Sequence, residues 1–502
     1  MFNLRGNQRT SGELSRKEGG KIFGSGSRTP ISITILVRKP NHTGSAAIHY
    51  EAVADYLSRE EKLALVSERG SMLSDKMRLS SIAPNEAGDW INQRDGLFET
   101  FLPLECEGKF NTKSSSVFCV NSRGLETARD SWVYNSSLHQ LTETTQRMVA
   151  FYNEQVSNFA NRKERTIAAK DFITYDPTKI SWSTNLIEAV QKGATATFEQ
   201  DRFSIGMYRP FFKQHVYRGE KFINRRGQFD QFFPTPQSKN LVICTSGHGG
   251  TKDFSCFITD IIPDVNMLDA GTQCFPLYFY EENARDALSL FDNGSDDYTR
   301  HSGLTDFILQ RAREEFGPKV SAEDVFYYVY GILHSVEYRK RFSSDLKKTL
   351  ARIPIVDSPQ DFKAFVKAGR KLADLHLNYE TGPLCQQLII TGDKSGKLNV
   401  AKMRFPSKED KGTILFNDSV RIENIPMTAY DYVVNGKSAV EWVMERYAVT
   451  KNTDSGIVND PNLWSANPRY ILDLVSRVIQ MSVDTQKIVA GLPKLDFSSQ
   501  KS

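Results

Sequence analysis

Three Ser-x-x-acid signatures, Ser58 to Glu61, Ser321 to Asp324 and Ser438 to Glu441, set the tightest local limits on this chain. In such a capping box the serine hydroxyl accepts from the amide three residues on. The acid reaches back to the serine amide, so each box marks a helix start. The runs behind them are EKLALVSE, VFYYVYGILHS (325–335) and AVEWVMERYAV. Helical spacing of apolar residues also runs through 137–164, 304–317, 361–380 and 468–493, and through DWINQRDGLFETFLPL (89–104) up to Pro103. Between these blocks lie short strand-like runs closed by turn residues. They are SITILVRKP (32–40), SSVFCV (115–120), KNLVICTS (239–246), FSCFITDII (254–262), and CQQLIIT, KLNVAKMRF and GTILFND within 385–435. No internal repeat is present. Helices and strands are segregated along the chain, which predicts an α+β (mixed) fold.

At 502 residues the chain exceeds one ordinary domain. Its 39 % hydrophobic and 25 % charged content fits a folded polypeptide. No run reaches the roughly 18 apolar residues of a membrane span, and the N-terminus has charges and glycines where a signal peptide needs an apolar core. The six cysteines (106, 119, 244, 256, 274, 385) form no CxxC pair and have no histidine at metal spacing. They read as buried free thiols of a cytoplasmic protein.

Several motifs tempt and fail. Gly436-Lys437-Ser438 resembles the end of a phosphate loop, but the first glycine of that loop would fall on Asp431. A turn followed by a helix cap accounts for it. GDKSGK (392–397) is one residue short and is followed by Leu398 instead of a hydroxyl. Gly24-Ser-Gly26-Ser-Arg-Thr29 lacks the third glycine of a dinucleotide fingerprint and precedes a strand. Ser246-Gly-His-Gly-Gly250 reads as a turn between two strands. Histidines 215, 248, 301, 334 and 376 have no zinc-site spacing. Asn467-Pro468-Arg469-Tyr470 is similar to the Asn-Pro-Pro-Tyr motif of amino-methyltransferases. Its second proline is replaced and a helix follows, so Pro468 reads as a helix initiator.

One segment carries a stronger signal. RFSIGMYRPFFKQHVYRGEKFINRR (202–226) has seven basic residues against Glu220, a net +6. Six aromatics (Phe203, Tyr208, Phe211, Phe212, Tyr217, Phe222) are interleaved with them. Such a segment can neutralise phosphates by counterion release. The alternative is a half-buried strand pair with aromatics in the core and arginines in solvent, and spacing alone does not choose between them. Residues 1–39 add another +6, so the total of +4 leaves −8 on the remaining 438 residues. Concentrated positive charge favours nucleic acid, and a third basic run, YRKRFSSDLKKTLARIP (338–354), is a candidate for the same face. The residues singled out for DNA contact are Arg202, Arg209, Lys213, Arg218, Lys221, Arg225 and Arg226, with Asn224 and Gln228 as base readers.

Long strings also resemble a known family. VFYYVYGILHSVEYRKRFSSDLKKTLARIP (325–354), GRKLADLHLNYE (369–380), YRPFFKQHVY (208–217), QCFPLYFY (273–280) and AVEWVMERYAVTKNTDSGIVNDPNLW (439–464) look like the C-terminal specificity region of type ISP restriction–modification enzymes. FNLRGNQRTSGE and EGGKIFGSGSRTPISITILVRKP within 2–40 resemble the last strands of the methyltransferase domain upstream of it. SRGLETARDSWVYN (122–135) resembles the opening of the target-recognition region. The resemblance implies truncated C-terminal strands of a Rossmann-like methyltransferase core over 1–75 and a helical linker opening the recognition region over 76–200. A large mixed α/β target-recognition domain over 201–502 follows. It implies a double-stranded DNA partner and an adenine presented for methylation. S-adenosylmethionine, ATP and Mg are implied for the full-length enzyme, with no cofactor held by this chain, because the amine, cofactor, phosphate-loop and nuclease motifs are missing from it. Two other expectations remain open: a methyltransferase completed by an upstream-encoded methyltransferase/ATPase/nuclease chain, and an inactive remnant.

Overall fold

Phe2 and Leu4 alternate with Asn3 and Arg5, and both apolar side chains are buried on one side of strand β1 (Phe2–Arg5). In the computed structural model, which describes residues 1–9, 12–24, 26–108, 110–235, 237–283, 297–392, 398–495 and 497, β1 is an inner strand of a small N-terminal sheet. Strand β2 (Ile31–Ile33) runs antiparallel on one side and β3 (Ile48–Ala52) parallel on the other, with β4 (Ser80–Ile82) beyond it. The helix Arg59–Arg69 opens on the Ser58–Glu61 capping box as expected. From it the buried Lys62 ammonium donates to the carbonyls of Glu18 (2.6 Å) and Gly20 (2.8 Å). Phe2, Leu4, Ile22 and Val53 form the unit's own small core.

The expected buried strand over 32–40 is corrected here. The ladder with β1 stops at Phe2 opposite Ile33. Beyond it Ile35, Leu36 and Val37 are 56, 82 and 81 % exposed. An apolar run makes a strand only where backbone partners lie alongside, and no described strand does so there.

The rest of the chain is built around a four-stranded antiparallel sheet ordered β9-β8-β10-β5: β5 (Ser122–Arg123), β8 (Val242–Thr245), β9 (Cys256–Thr259) and β10 (Gln273–Pro276). Alternation along these strands sends side chains to two different cores. Val242, Cys244, Phe257 and Cys274 join a cluster that runs from Cys119 to Met481. Ile243, Cys256, Ile258 and Phe275 join one that runs from Phe98 to Phe497. A sheet buried on both faces needs the unbroken apolar runs read at 239–246 and 254–262. Residues on both sides of 200 share the first core. The second is closed by helices α1 (Ala322–Ile332) and α2 (Pro359–Leu377), whose backbones approach at Gly331 and Gly369.

The Ser321 and Ser438 capping boxes are both present. The long helices fall where expected, at Leu138–Ala160, Asp306–Phe316 and Tyr470–Ala490. Three expectations are corrected. Residues 89–104 make only a 3-10 turn (Gly96–Thr100) and a two-residue strand, because their acids are held by cations from elsewhere. Val117–Val120 are fully buried, yet 115–120 make isolated bridges to Phe110 and Leu304 instead of a ladder. Of KLNVAKMRF, residue 397 lies outside the described residues and the others make one bridge, Arg404 to Leu415. The 338–354 run supplies the cations that pin 89–99. Arg341 pairs with Asp95 (2.8 Å), Lys348 with Asp89 (2.9 Å) and Arg352 with Glu99 (3.1 Å).

All six cysteines are buried and unpaired. No described helix is long and apolar enough to cross a membrane.

Candidate nucleic-acid interface

The basic–aromatic segment forms an antiparallel hairpin of β6 (Phe203–Arg209) and β7 (Phe212–Tyr217). Phe211, Phe212, Tyr217 and Phe222 are buried in the first core. Phe198 stacks on Tyr217 at 5.7 Å, and Phe211 meets Phe257 edge-on at 5.0 Å. The interleaving of aromatics and cations is therefore the in–out alternation of strands, and these rings are not a platform for bases.

The cations divide into three groups. Two are held in ion pairs within the fold. Arg209 is half-wrapped by core and pairs with the fully buried Asp264 (2.7 Å), with Asp130 at 3.7 Å and the Tyr208 ring under its guanidinium at 3.9 Å. Lys213 is paired with Glu380. Both charges face acids from remote segments.

The second group gathers at the other end of the hairpin. Arg218 and Arg226 share Asp230, at 3.8 and 3.3 Å. Arg202 pairs with Glu199 at 3.3 Å and feels the same Asp230 carboxylate. Burial lowers the Arg218 pKa, Asp230 opposing.

The third group follows on 221–228. Lys221 lies on the 3-10 turn Glu220–Phe222. Arg225 is 69 % exposed, 3.8 Å from Glu126, and its backbone bridges that residue in both directions. The Asn224 amide donates to Glu126 Oε1 at 2.7 Å, and the Gln228 backbone amide donates to Ser122 Oγ at 3.0 Å. Arg123, at the end of β5, is exposed, with its backbone carbonyl beside Gly227.

A residue the sequence reading missed holds this surface in place. Arg129 is 2 % exposed and has no carboxylate partner among the described residues. Its guanidinium donates to the carbonyls of Thr127 (3.0 Å), Phe222 (2.5 Å) and Ser181 (3.1 Å), and to Ser183 Oγ (2.7 Å). Burial lowers its pKa to about 10. Asn185 adds a bond to the Asn224 carbonyl at 3.1 Å. The only trace of Arg129 in the sequence is its place inside SRGLETARDSWVYN.

The tempting motifs resolve as turns. Ser246–Gly250 lies between β8 and β9. The Gly247 and Gly249 amides go to Asp269 O and Lys347 O, and those of Thr251 and Lys252 to the Asp269 carboxylate. Asn435 (φ 53°) and Gly436 (φ 81°) make a left-handed two-residue turn before the Ser438 cap. Asn467 Oδ1 accepts from the Arg469 amide and the helix starts at Tyr470. Of 24–29, residue 25 lies outside the described residues, as do 393–397 of GDKSGK. Among the described residues no group of three His, Cys, Asp or Glu could hold a metal.

A family model of the type ISP C-terminal specificity domain matches residues 116–474. The chain belongs to the type ISP restriction–modification family. Three solved structures are similar to it. A nuclease-deletion mutant of the type ISP enzyme LlaGI, in complex with a DNA substrate mimic, is 38 % identical with a TM-score of 0.85, over 99 % of this chain and 43 % of that one. The ATP-dependent type ISP enzyme LlaBIII bound to DNA is 35 % identical with a TM-score of 0.85, over 99 % of this chain and 31 % of that one. A DrdV–DNA complex is 25 % identical with a TM-score of 0.79, over 98 % of this chain and 47 % of that one. The type ISP chain thus spans less than half the length of each of these relatives. No curated protein matches it.

Proposed function

We propose that this type ISP chain is a sequence-specific double-stranded DNA recognition module that presents a target adenine for methylation. The observation that carries the reading is the match of 99 % of the chain to the DNA-bound LlaGI and LlaBIII structures. The surface of 221–228 supports it. Lys221, Arg225 and Arg226, backed by Arg202, Arg218 and Arg123, would position phosphates, and Asn224 and Gln228 would lie beside bases.

Methyl transfer and any ATP-driven step belong to residues outside this sequence. The described residues do not fit S-adenosylmethionine, ATP or Mg. The Ser246–Gly250 turn is closed by Asp269, and Lys437 of the Gly-Lys-Ser turn is paired with Glu445.

Reversing Arg225 and Arg226 to glutamate tests the reading. A gel-shift titration is expected to show at least about a tenfold loss of duplex affinity with an unchanged thermal transition. Unchanged affinity sinks it. Labelled S-adenosylmethionine, offered with DNA to this chain alone and then with the upstream product, tests where methylation resides.

A further inference from the structure

A second hairpin faces residues 181–184, the stretch that Arg129 fastens to Phe222. Strands β11 (Thr450–Lys451) and β12 (Val458–Asn459) project a tight loop over 452–457. Its base is tied down: Asn135 Nδ2 donates to Val458 O at 3.0 Å, and the Ser136 amide and Gln214 Nε2 both donate to Asn459 Oδ1 at 2.8 Å. Its tip is rigid. Asn452 Oδ1 accepts from the Asp454 amide (3.2 Å), the Ser455 amide (2.8 Å) and Ser455 Oγ (2.9 Å). Lys451, Thr453 and Asp454 are exposed, Asp454 at the rim of one cavity and Lys451 at the rim of another.

Three cavities ring the hairpin and share its residues as walls. One of about 660 Å³ has Asn452, Asp454 and Ser455 on the hairpin side. Opposite them are residues 181–184, the stretch that Arg129 fastens to Phe222. The other two, about 290 and 380 Å³, lie against the flanks of the hairpin. Gln140 Oε1 in the first of these, and Tyr134 Oη and Arg446 Nε in the second, are buried with no hydrogen-bond partner among the described residues. Buried polar atoms are nearly always paired, so walls of this kind suit a polar, hydrated partner.

We propose that the 450–459 hairpin enters the major groove and reads base edges through Lys451, Thr453 and Asp454, while the 221–228 surface, tied by Arg129 to the 181–184 wall of the 660 Å³ cavity, holds the backbone. This rests on the DNA-recognition reading above. A major groove about 12 Å wide admits a two-stranded ribbon. Lysine donates to guanine O6 and N7, aspartate accepts from the cytosine amine, and the threonine methyl packs on the thymine methyl. The charge pattern decides between base and backbone. An exposed carboxylate at the tip would repel phosphates, whereas the cations on 221–228 would attract them.

The test is selection from a random duplex pool by the wild type, by the triple variant Lys451→Ala, Thr453→Ala, Asp454→Ala, and by Arg225→Glu, Arg226→Glu. The wild type is expected to enrich one motif. The triple variant should lose about tenfold discrimination at one or more positions while its affinity for random duplex stays within about threefold. The double reversal should weaken binding to every duplex. If the triple variant enriches the same motif with undiminished discrimination, the hairpin assignment falls and the recognition reading stands. If the wild type enriches nothing, both fall. Should the triple variant lose its cooperative thermal transition, Lys451→Met alone is judged by the same criterion.

Discussion

Arg209 and Arg225 belong to one basic segment and end in opposite environments. Removing Arg209 leaves Asp264, 0 % exposed, without its 2.7 Å partner. Arg209→Ala is therefore expected to cost about 1–3 kcal/mol of stability, since Asp264 neutralises but loses the guanidinium as a hydrogen-bond partner, read as a lower denaturation midpoint. Arg225→Ala should stay within about 0.5 kcal/mol and act on DNA affinity instead. Asp264 also sets a pH signature. Burial pushes its carboxyl up to about 7 against the pull of Arg209, and its second oxygen has no partner among the described residues. Burial pushes His376 down to about 3 and His334 well below its usual value. Between about pH 4 and 6.5 the unfolded chain holds the two histidine protons and the folded chain holds the Asp264 proton. Stability therefore falls on acidification, with Asp264 offsetting part of the loss. In Asp264→Asn the offset is gone, and urea titrations across that window should show a steeper fall. An unchanged slope would show that Asp264 does not hold its proton.

At the scale of elements, the crossing of α1 and α2 depends on two glycines. A Cβ at Gly369 would lie 1.9 Å from Tyr327 O, and one at Gly331 would lie 2.6 Å from Phe365 O. Neither contact can be relieved by a side-chain rotation, because both neighbours are backbone. Gly369→Ala should cost at least about 1–3 kcal/mol through overpacking, measured as a lower urea midpoint; a neutral result would mean the helices separate freely. The helices themselves were legible in sequence because their signals are local: a serine, an acid three residues on, and a 3.6-residue apolar period. Short strands were less legible. Residues 115–120 and 398–405 also carry strand-like apolar residues, but a ladder needs a partner strand, and pairing partners are remote. The 89–104 segment misled for the same reason, since its conformation is fixed by Arg341, Lys348 and Arg352.

For the molecule as a whole, the exposed run of Ile35, Leu36 and Val37 predicts self-association, because an exposed apolar patch is buried favourably against another chain. Leu36→Lys together with Val37→Lys should reduce concentration-dependent light scattering and leave the thermal transition unchanged, since both side chains are over 80 % exposed. Scattering that persists in the variant would place the association elsewhere. The charge of the molecule also looks different in three dimensions. Of the +6 segment, Arg209 and Lys213 are taken up by ion pairs within the fold, while Arg225 on the stretch beyond the hairpin is well exposed.

The sequence alone determined the α+β class, the three capped helices and the membership that its long strings announced. These are carried by neighbours in the chain or by strings long enough to be specific. Tertiary structure decided which cations are available. Arg209 and Lys213 meet their acids 55 and 167 residues away, and Arg129 finds its acceptors up to 93 residues away. Coulomb attraction and burial act through space, so no spacing rule along the chain could have sorted a buried ion pair from a free arginine.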